Sequence, residues 1–123
     1  MKNQAYRMAL LYDFYGDTLT PRQKEFFDLY YNEDLSLAEI AENYDITRQG
    51  VRDVIVRAEG ILTDLEDKTG IVRRFKKMQE QLSEIEASAD GIIEFNTLRN
   101  GRDSVIDGLC QQIKNTVAIM KQE

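Results

Sequence analysis

The sequence predicts an all-α protein, in which a helix-turn-helix bundle is followed by additional C-terminal helices. Apolar residues recur at steps of three and four along most of the chain, and no segment alternates as a β-strand does. The single proline in 123 residues permits long helices, because proline interrupts the helix interior. Paired capping residues also mark where two helices begin. We expect residues 1–70 to form the helix-turn-helix domain and residues 71–123 a helical extension used for packing or dimerisation.

Two helices are expected before the helix-turn-helix motif. The first, over residues 4–15, carries one apolar stripe at helical spacing: Ala5, Met8, Tyr12 and Tyr15. Gly16 follows where a left-handed residue usually ends a helix. Thr20 as an N-cap before Pro21, with Gln23 placed to reach back to the cap, forms a capping box and predicts a second helix that ends near Tyr31.

A second capping box predicts a short third helix. Ser36 and Glu39 have the spacing in which each side chain satisfies the backbone N–H of the other. The helix is expected over residues 37–44, with a tight turn at Asp45 and Ile46. Aspartate tolerates the left-handed conformation better than most residues, so it replaces the glycine common in such turns.

Thr47 is expected to cap a longer fourth helix, which runs to about Asp67 before Gly70 ends it. A short helix, a tight turn and a longer helix form the helix-turn-helix arrangement. Ala41 is small, as the crossing of two helices requires. The residues expected to form the shared core are Ile40, Tyr44, Ile46, Val51 and either Val54 or Ile55.

The start of the fourth helix is the candidate nucleic-acid surface. Arginine and glutamine side chains can bond guanine and adenine edges in a major groove, and hydroxyls and cations at helix ends commonly contact phosphates. The alternative is an ordinary solvated face, and the acidic Asp45 and Asp53 weigh against DNA. The expected base contacts are Arg48, Gln49 and Arg52, and the expected phosphate contacts are Ser36, Thr47 and Arg57.

A basic run follows the fourth helix and is a second candidate for phosphate contact. Its cations could track a nucleic-acid backbone, or could simply solvate the outer face of a helix. Phe75, in their midst, fits the apolar seam better than a stacking role. The cations are Arg73, Arg74, Lys76 and Lys77.

The region after Gly70 has the narrow apolar seam of a coiled coil, with steps of four and three. We expect one helix from residue 71, a break near residues 87–91, a short helix around residues 92–98, and a last helix after Asn100 and Gly101. The seam either packs within the chain or joins two copies. A homodimer is favoured, because the seams exceed what one small helix-turn-helix needs to cover and two-fold dimers are common.

Charge is unevenly distributed along the chain, whose net charge is −6. Residues 1–46 carry four basic and nine acidic side chains, and residues 83–123 carry four and seven. Residues 47–82 carry eight and six, and are the only positive part. The recognition helix and the basic run both lie there, which favours a nucleic-acid partner.

The composition argues against an enzyme. The chain has no histidine and no phosphate-binding glycine pattern, and its acidic pairs fit a solvated helix face better than a metal site. We therefore expect no catalytic residue, cofactor or metal. The lone Cys110 suits a reducing cytoplasm, and no apolar stretch is long enough for membrane insertion.

Two segments carry a resemblance to known proteins. LTPRQKEFFDLYY (19–31) and LSLAEIAENYDITRQGVRDVIVRAE (35–59) resemble the promoter-reading region 4 of bacterial sigma factors. The whole chain, including LLYDFY (10–15) and RAEGILTDLEDKTG (57–70), is more closely similar to the YlxM family of small helix-turn-helix proteins from Gram-positive bacteria.

The resemblance implies that residues 36–44 form the supporting helix and that Thr47 begins the recognition helix. Genes of that family lie beside the gene for the signal recognition particle GTPase, which implies a role in that pathway. The first hypothesis is a DNA-binding transcriptional regulator. The second is an accessory protein that binds the GTPase, and a third is binding to the particle's RNA.

Overall fold

The computed structural model describes residues 4–122, and within that range it contains six α-helices and no β-strand. This confirms the predicted all-α class. The chain divides into two compact units, Met1–Val72 (the first unit) and Arg73–Glu123 (the second unit). The helices are α1 (Ala5–Tyr15), α2 (Pro21–Tyr31), α3 (Leu37–Tyr44), α4 (Arg48–Thr69), α5 (Ile71–Leu98) and α6 (Ser104–Gln122).

The helices α2 and α3 begin at the predicted capping boxes. Thr20 Oγ1 accepts a hydrogen bond from Gln23 N at 3.2 Å, and Gln23 Oε1 accepts one from Thr20 N at 2.9 Å. Ser36 and Glu39 make the same reciprocal pair, with both bonds at 3.1 Å. Each cap stabilises its helix by about 1 kcal/mol, because it satisfies N–H groups that have no intrahelical partner.

Left-handed residues end two of the helices, but not the first. Asp45 (φ 54°) ends α3 and Gly70 (φ 62°) ends α4. The expectation of a left-handed Gly16 was wrong: its φ is −56°, and it begins a 3-10 turn, Gly16–Thr18. The turn closes when Leu19 N donates to Gly16 O at 3.1 Å, and it brings the Leu19 side chain into the core.

Two apolar clusters in the first unit pack against opposite ends of α4. One joins α1 and the end of α2 to the later turns of α4, through Leu11, Phe27 and Leu62. The other joins α2 and α3 to the first turns of α4, through Phe26, Ile40, Val51 and Ile55. The helix α4 therefore receives support along its whole length, which holds its exposed N-terminal turns in a defined direction.

A buried hydrogen-bond network joins α1 to the end of α4 and to Val72, the last residue of the first unit. Glu66 is only 6% exposed, and its Oε1 accepts from the Tyr15 hydroxyl at 2.7 Å and from Val72 N at 3.0 Å. The Tyr15 oxygen also lies 2.5 Å from Thr69 Oγ1. Because Tyr15 donates its only proton to Glu66, Thr69 is the donor in this second bond. The carboxylate thus ties α1 to the first turn of α5.

Replacing Tyr15 with phenylalanine is expected to destabilise the first unit by about 1–3 kcal/mol, because the variant leaves the buried Glu66 carboxylate without one of its donors. Urea denaturation followed by circular dichroism measures the change. Tyr12→Phe is the matched control, because the Tyr12 hydroxyl makes no hydrogen bond within residues 4–122 and its ring, which stacks on Phe27, is retained. Equal unfolding midpoints for the two variants would contradict a stabilising role for the network.

The predicted break near residues 87–91 and the separate helix at 92–98 were wrong, because α5 is continuous from Ile71 to Leu98. Ala89 is buried in the seam facing α6, and Asp90 pairs with Lys114 of α6 at 2.7 Å. Gly91 costs a helix interior only about 1 kcal/mol, which packing of the neighbouring turns offsets. The predicted interruption at Asn100 and Gly101 is confirmed.

The turn between α5 and α6 is organised by Asn96, which is 1% exposed. Its amide nitrogen donates to Asp103 O at 2.8 Å and to Asp107 Oδ1 at 2.9 Å, and its Oδ1 accepts from Asp103 N at 3.1 Å. The Asn96 amide and the Arg102 guanidinium hold the pKa of Asp107 below its ordinary value. These bonds direct the chain back along α5, so that α5 and α6 form a hairpin.

Candidate nucleic-acid interface

The α3–turn–α4 segment has the helix-turn-helix geometry that the sequence predicts. After the left-handed Asp45, Ile46 N donates to Ala41 O at 3.1 Å, which closes the turn. Ala41 is 6% exposed and lies in the cluster that the two helices share. Because its side chain is a single methyl group, the two helices can approach closely at this point.

The predicted shared core is confirmed, and it gains support from α2. Val51 and Ile55 are fully buried with Ile40, while Val54 packs at the edge of the same cluster. The Tyr44 hydroxyl donates to Glu25 of α2, and this bond raises the pKa of Tyr44. The helix α4 thus packs against both α2 and α3 and presents its opposite face to solvent.

Arg48 and Arg52 stand one helical turn apart on the exposed side of α4. Within residues 4–122 neither guanidinium has an ion-pair partner, so both are available to a ligand. Arginine presents a planar set of donors that fits phosphate oxygens and the O6 and N7 atoms of guanine. The pair therefore has the exposure and the donor geometry that contact with a nucleic acid requires.

Gln49 is also exposed, but its side chain is engaged. Its Nε2 donates to Asp53 Oδ1 at 2.9 Å, one turn further along α4. The sequence identified Asp53 as an unfavourable charge and missed this bond, although glutamine and aspartate at a spacing of four often pair on a helix. Base recognition by Gln49 therefore requires breaking the bond to Asp53 or using both side chains together.

The remaining predicted contacts in the first unit are exposed at helix starts or on α4. Thr47 Oγ1 accepts from Gly50 N at 2.9 Å, and Ser36 Oγ accepts from Glu39 N. Each hydroxyl acts as an N-cap acceptor, which leaves its own proton for a phosphate oxygen. Arg57 is exposed further along α4 and has no ion-pair partner among the described residues.

Acidic side chains surround this surface. Glu39, Glu42 and Asp45 are exposed on or just after α3. Residues 1–72 together carry fourteen acidic and eight basic side chains. The net negative charge of residues 1–72 repels a polyanion, whereas Arg48 and Arg52 attract it locally. Binding of a polyanion to α4 would therefore depend on close contact with these two arginines.

The basic run lies in the second unit, near the start of α5. Arg73, Arg74, Lys76 and Lys77 are exposed, and Phe75 between them is half-buried. Four cations within five residues of one helix form the highest concentration of positive charge in the chain.

Other kinds of site find little support in the part of the chain that the structure describes. No group of three or more acidic or cysteine side chains within residues 4–122 is placed to hold a metal ion. No helix in that range is both long and apolar enough to cross a membrane.

Comparison with known proteins agrees with this geometry. Residues 2–99 match the model of a family described as putative helix-turn-helix protein, YlxM / p13 like, UPF0122. The chain is 49% identical over 86 residues to a UPF0122 protein of Desulforamulus reducens, covering 70% of this chain and 74% of that protein. It is 36% identical over 115 residues to a UPF0122 protein of Listeria welshimeri, covering 94% and 98%. A UPF0122 protein of Geobacillus kaustophilus is 34% identical over 113 residues, which cover 92% and 96%.

Proposed function

Because this chain belongs to the UPF0122 family of putative helix-turn-helix proteins, YlxM / p13 like, we propose that it is a non-catalytic, cytoplasmic DNA-binding regulator. The observation that carries this proposal is the pair of exposed arginines, Arg48 and Arg52, at the start of α4, neither of which has an ion-pair partner within residues 4–122. A helix-turn-helix protein inserts this part of its second helix into the major groove.

In this mode of binding, different residues do different work. Arg48 and Arg52 reach base edges, and their bidentate donors favour guanine. The Ser36 and Thr47 hydroxyls and the Arg57 guanidinium bind phosphates beside the groove, which sets the register without reading sequence. Gln49 and Asp53 act as a unit: the glutamine can bond adenine, and the carboxylate can accept from the exocyclic amine of cytosine.

The basic run in the second unit provides additional phosphate contacts in this proposal. Arg73, Arg74, Lys76 and Lys77 would add affinity that does not depend on base sequence and that falls steeply with salt. A homodimer would present two α4 helices to one duplex, as two-fold helix-turn-helix proteins do.

The experiment is to select preferred duplexes from a randomised pool and to measure the affinity of variants at several salt concentrations. Arg48→Ala is expected to lose about 1–3 kcal/mol on the selected duplex and to relax base preference at one position. Lys76→Ala is expected to weaken all duplexes alike and to lower the salt slope by about one unit. A pool that yields no preferred sequence, with Arg48→Ala binding as wild type, would overturn the proposal.

A second candidate function is favoured by the acidic surface of the first unit. Glu39, Glu42 and Asp45 beside α4 suit a basic protein better than a polyanion. In this alternative the chain is an accessory protein of the signal recognition particle pathway and docks on the particle's GTPase or RNA. Parallel titrations against duplex DNA, particle RNA and the GTPase distinguish the candidates, because only nucleic-acid binding has a salt slope set by phosphate contacts.

A further inference from the structure

The helices α5 and α6 form a hairpin that uses only half of its apolar seam. On α5, Leu82, Ala89 and Asn96 lie seven residues apart, and all three are buried. A second row with the same spacing, Ile85 and Ile92, is 47% exposed at both positions. Two such rows are the a and d positions of a coiled coil, and a complete helix bundle buries both.

The same division is present on α6. Cys110 and Val117 are buried at 3% exposure, whereas Leu109, Ile113 and Met120 are 56%, 42% and 43% exposed. These three side chains fall on one side of the buried row. The hairpin thus leaves one apolar row unburied on each of its helices.

The two exposed rows line one side of the hairpin and enclose an apolar groove of about 580 Å³. Ile85 of α5 faces Leu109, Ile113 and Met120 of α6 across it. Ile85 and Ile113 also line a second depression of about 320 Å³ that reaches Ile92, so the groove continues along the hairpin.

The opposite side of the hairpin is closed by ion pairs. Asp90 contacts Lys114 at 2.7 Å, and Glu86 contacts Lys121 at 3.7 Å. By helical spacing, these four residues lie across the buried row from the groove. The hairpin therefore has one polar side that suits water and one apolar side that suits a further layer of helices.

We propose that the groove is the surface through which two copies of this chain associate, so that two hairpins complete one four-helix bundle. The exposed rows then occupy the seam positions that such a bundle requires. The proposal goes beyond DNA binding and does not depend on it.

The exposed area suits a second copy. Five apolar side chains, each about half exposed, leave on the order of 500 Å² on one hairpin, which is in the upper part of the range for the largest apolar patch of a monomer, and such patches are often functional. Covering this area on two copies buries on the order of 1,000 Å², which reaches the lower size limit of a specific interface and corresponds to a dimer that dissociates on dilution.

Charge also favours self-association of this unit. Residues 73–123 carry eight basic and eight acidic side chains, so two second units do not repel each other through net charge. Glu84, which lines the smaller depression, is the single charged side chain among the residues that line the two depressions. The groove thus matches a second apolar helix face, which the second copy supplies.

Sedimentation velocity of the full chain at about 1–100 µM tests the proposal, with the expected wild-type mass at twice the chain mass of 14.3 kDa. Ile113→Asp places a carboxylate in the groove and is expected to weaken association at least about 100-fold. Ile119→Asp is the matched control, because Ile119 is 60% exposed on the same helix and does not line the groove.

Thr116→Arg provides a second variant that leaves the hairpin core intact, because Thr116 is exposed and lines the groove. It is expected to weaken association while circular dichroism shows unchanged helix content, and it decides the outcome if Ile113→Asp loses helix. A wild-type chain that sediments at single-chain mass up to about 100 µM would overturn the proposal. So would dimers of Thr116→Arg as stable as those of wild type and of Ile119→Asp.

Discussion

Replacing Ile55 with alanine is expected to lower the free energy of unfolding of the first unit by about 2–5 kcal/mol. Ile55 is fully buried in the cluster that seats α4 on α2 and α3, so the substitution removes apolar contacts and leaves a cavity. Small domains are stable by only about 5–15 kcal/mol, and the loss is therefore a large part of the total. Urea denaturation followed by circular dichroism measures it.

Ile61→Ala is the matched control for this prediction, because Ile61 lies on the same helix and is 36% exposed. Both substitutions remove the same atoms and gain the same helix propensity, so their difference reports burial alone. The same samples also test the link between fold and site: Ile55→Ala is expected to lose nucleic-acid binding at temperatures where it unfolds, whereas Ile61→Ala keeps it. Equal stability of the two variants would contradict the placement of α4 on α2 and α3.

Reversing both arginines at the start of α4, in the double variant Arg48→Glu/Arg52→Glu, is expected to cost about 2–6 kcal/mol of DNA-binding free energy. Two groups that attract phosphates and guanines become two that repel them, on a surface where Glu39, Glu42 and Asp45 already repel a polyanion. The expected loss lies between about 30-fold and 20,000-fold in affinity. Fluorescence anisotropy with the selected duplex measures it.

The control is Arg7→Glu/Arg99→Glu, which changes the net charge by the same amount at exposed arginines that are not part of α4. It isolates local recognition from the effect of overall charge, and its affinity is expected to fall much less. Both double variants are expected to have the same urea midpoint of unfolding as the wild type, because none of the four side chains is buried. Equal losses of affinity in the two variants would show that overall charge, and not the start of α4, governs binding.

The sequence was informative where a local signal has one structural meaning. Thr20 and Ser36 marked helix starts because a hydroxyl three residues before glutamine or glutamate satisfies N–H groups that the helix leaves open. Ala41 and the apolar residues around it identified the helix-turn-helix core. Asp45 was expected to accept the left-handed turn, and it does at φ 54°.

Local sequence patterns gave wrong predictions where contacts between residues far apart in the sequence determine the backbone structure. The small residues around Gly91 predicted a break in α5, yet Ala89 and Asp90 pack against α6 there and the helix continues. Gly16 was expected to be left-handed, but it begins a right-handed 3-10 turn. This turn places the Leu19 side chain in the core. The Gln49–Asp53 bond and the role of Asn96 were not foreseen, because many exposed or seam positions with the same spacing make no such contact.

Taken alone, the sequence determined that this protein is all-helical, where four of its helices begin, and which helix offers arginines at its exposed start. These follow from capping chemistry and apolar periodicity, both of which act within a few residues. Only the tertiary structure decided that Glu66 is buried beneath Tyr15, that α5 is one helix, and that the second unit leaves one apolar row of its seam on each helix exposed. These depend on which distant side chains meet, and burial free energy at such contacts outweighs the small local preferences that a sequence displays.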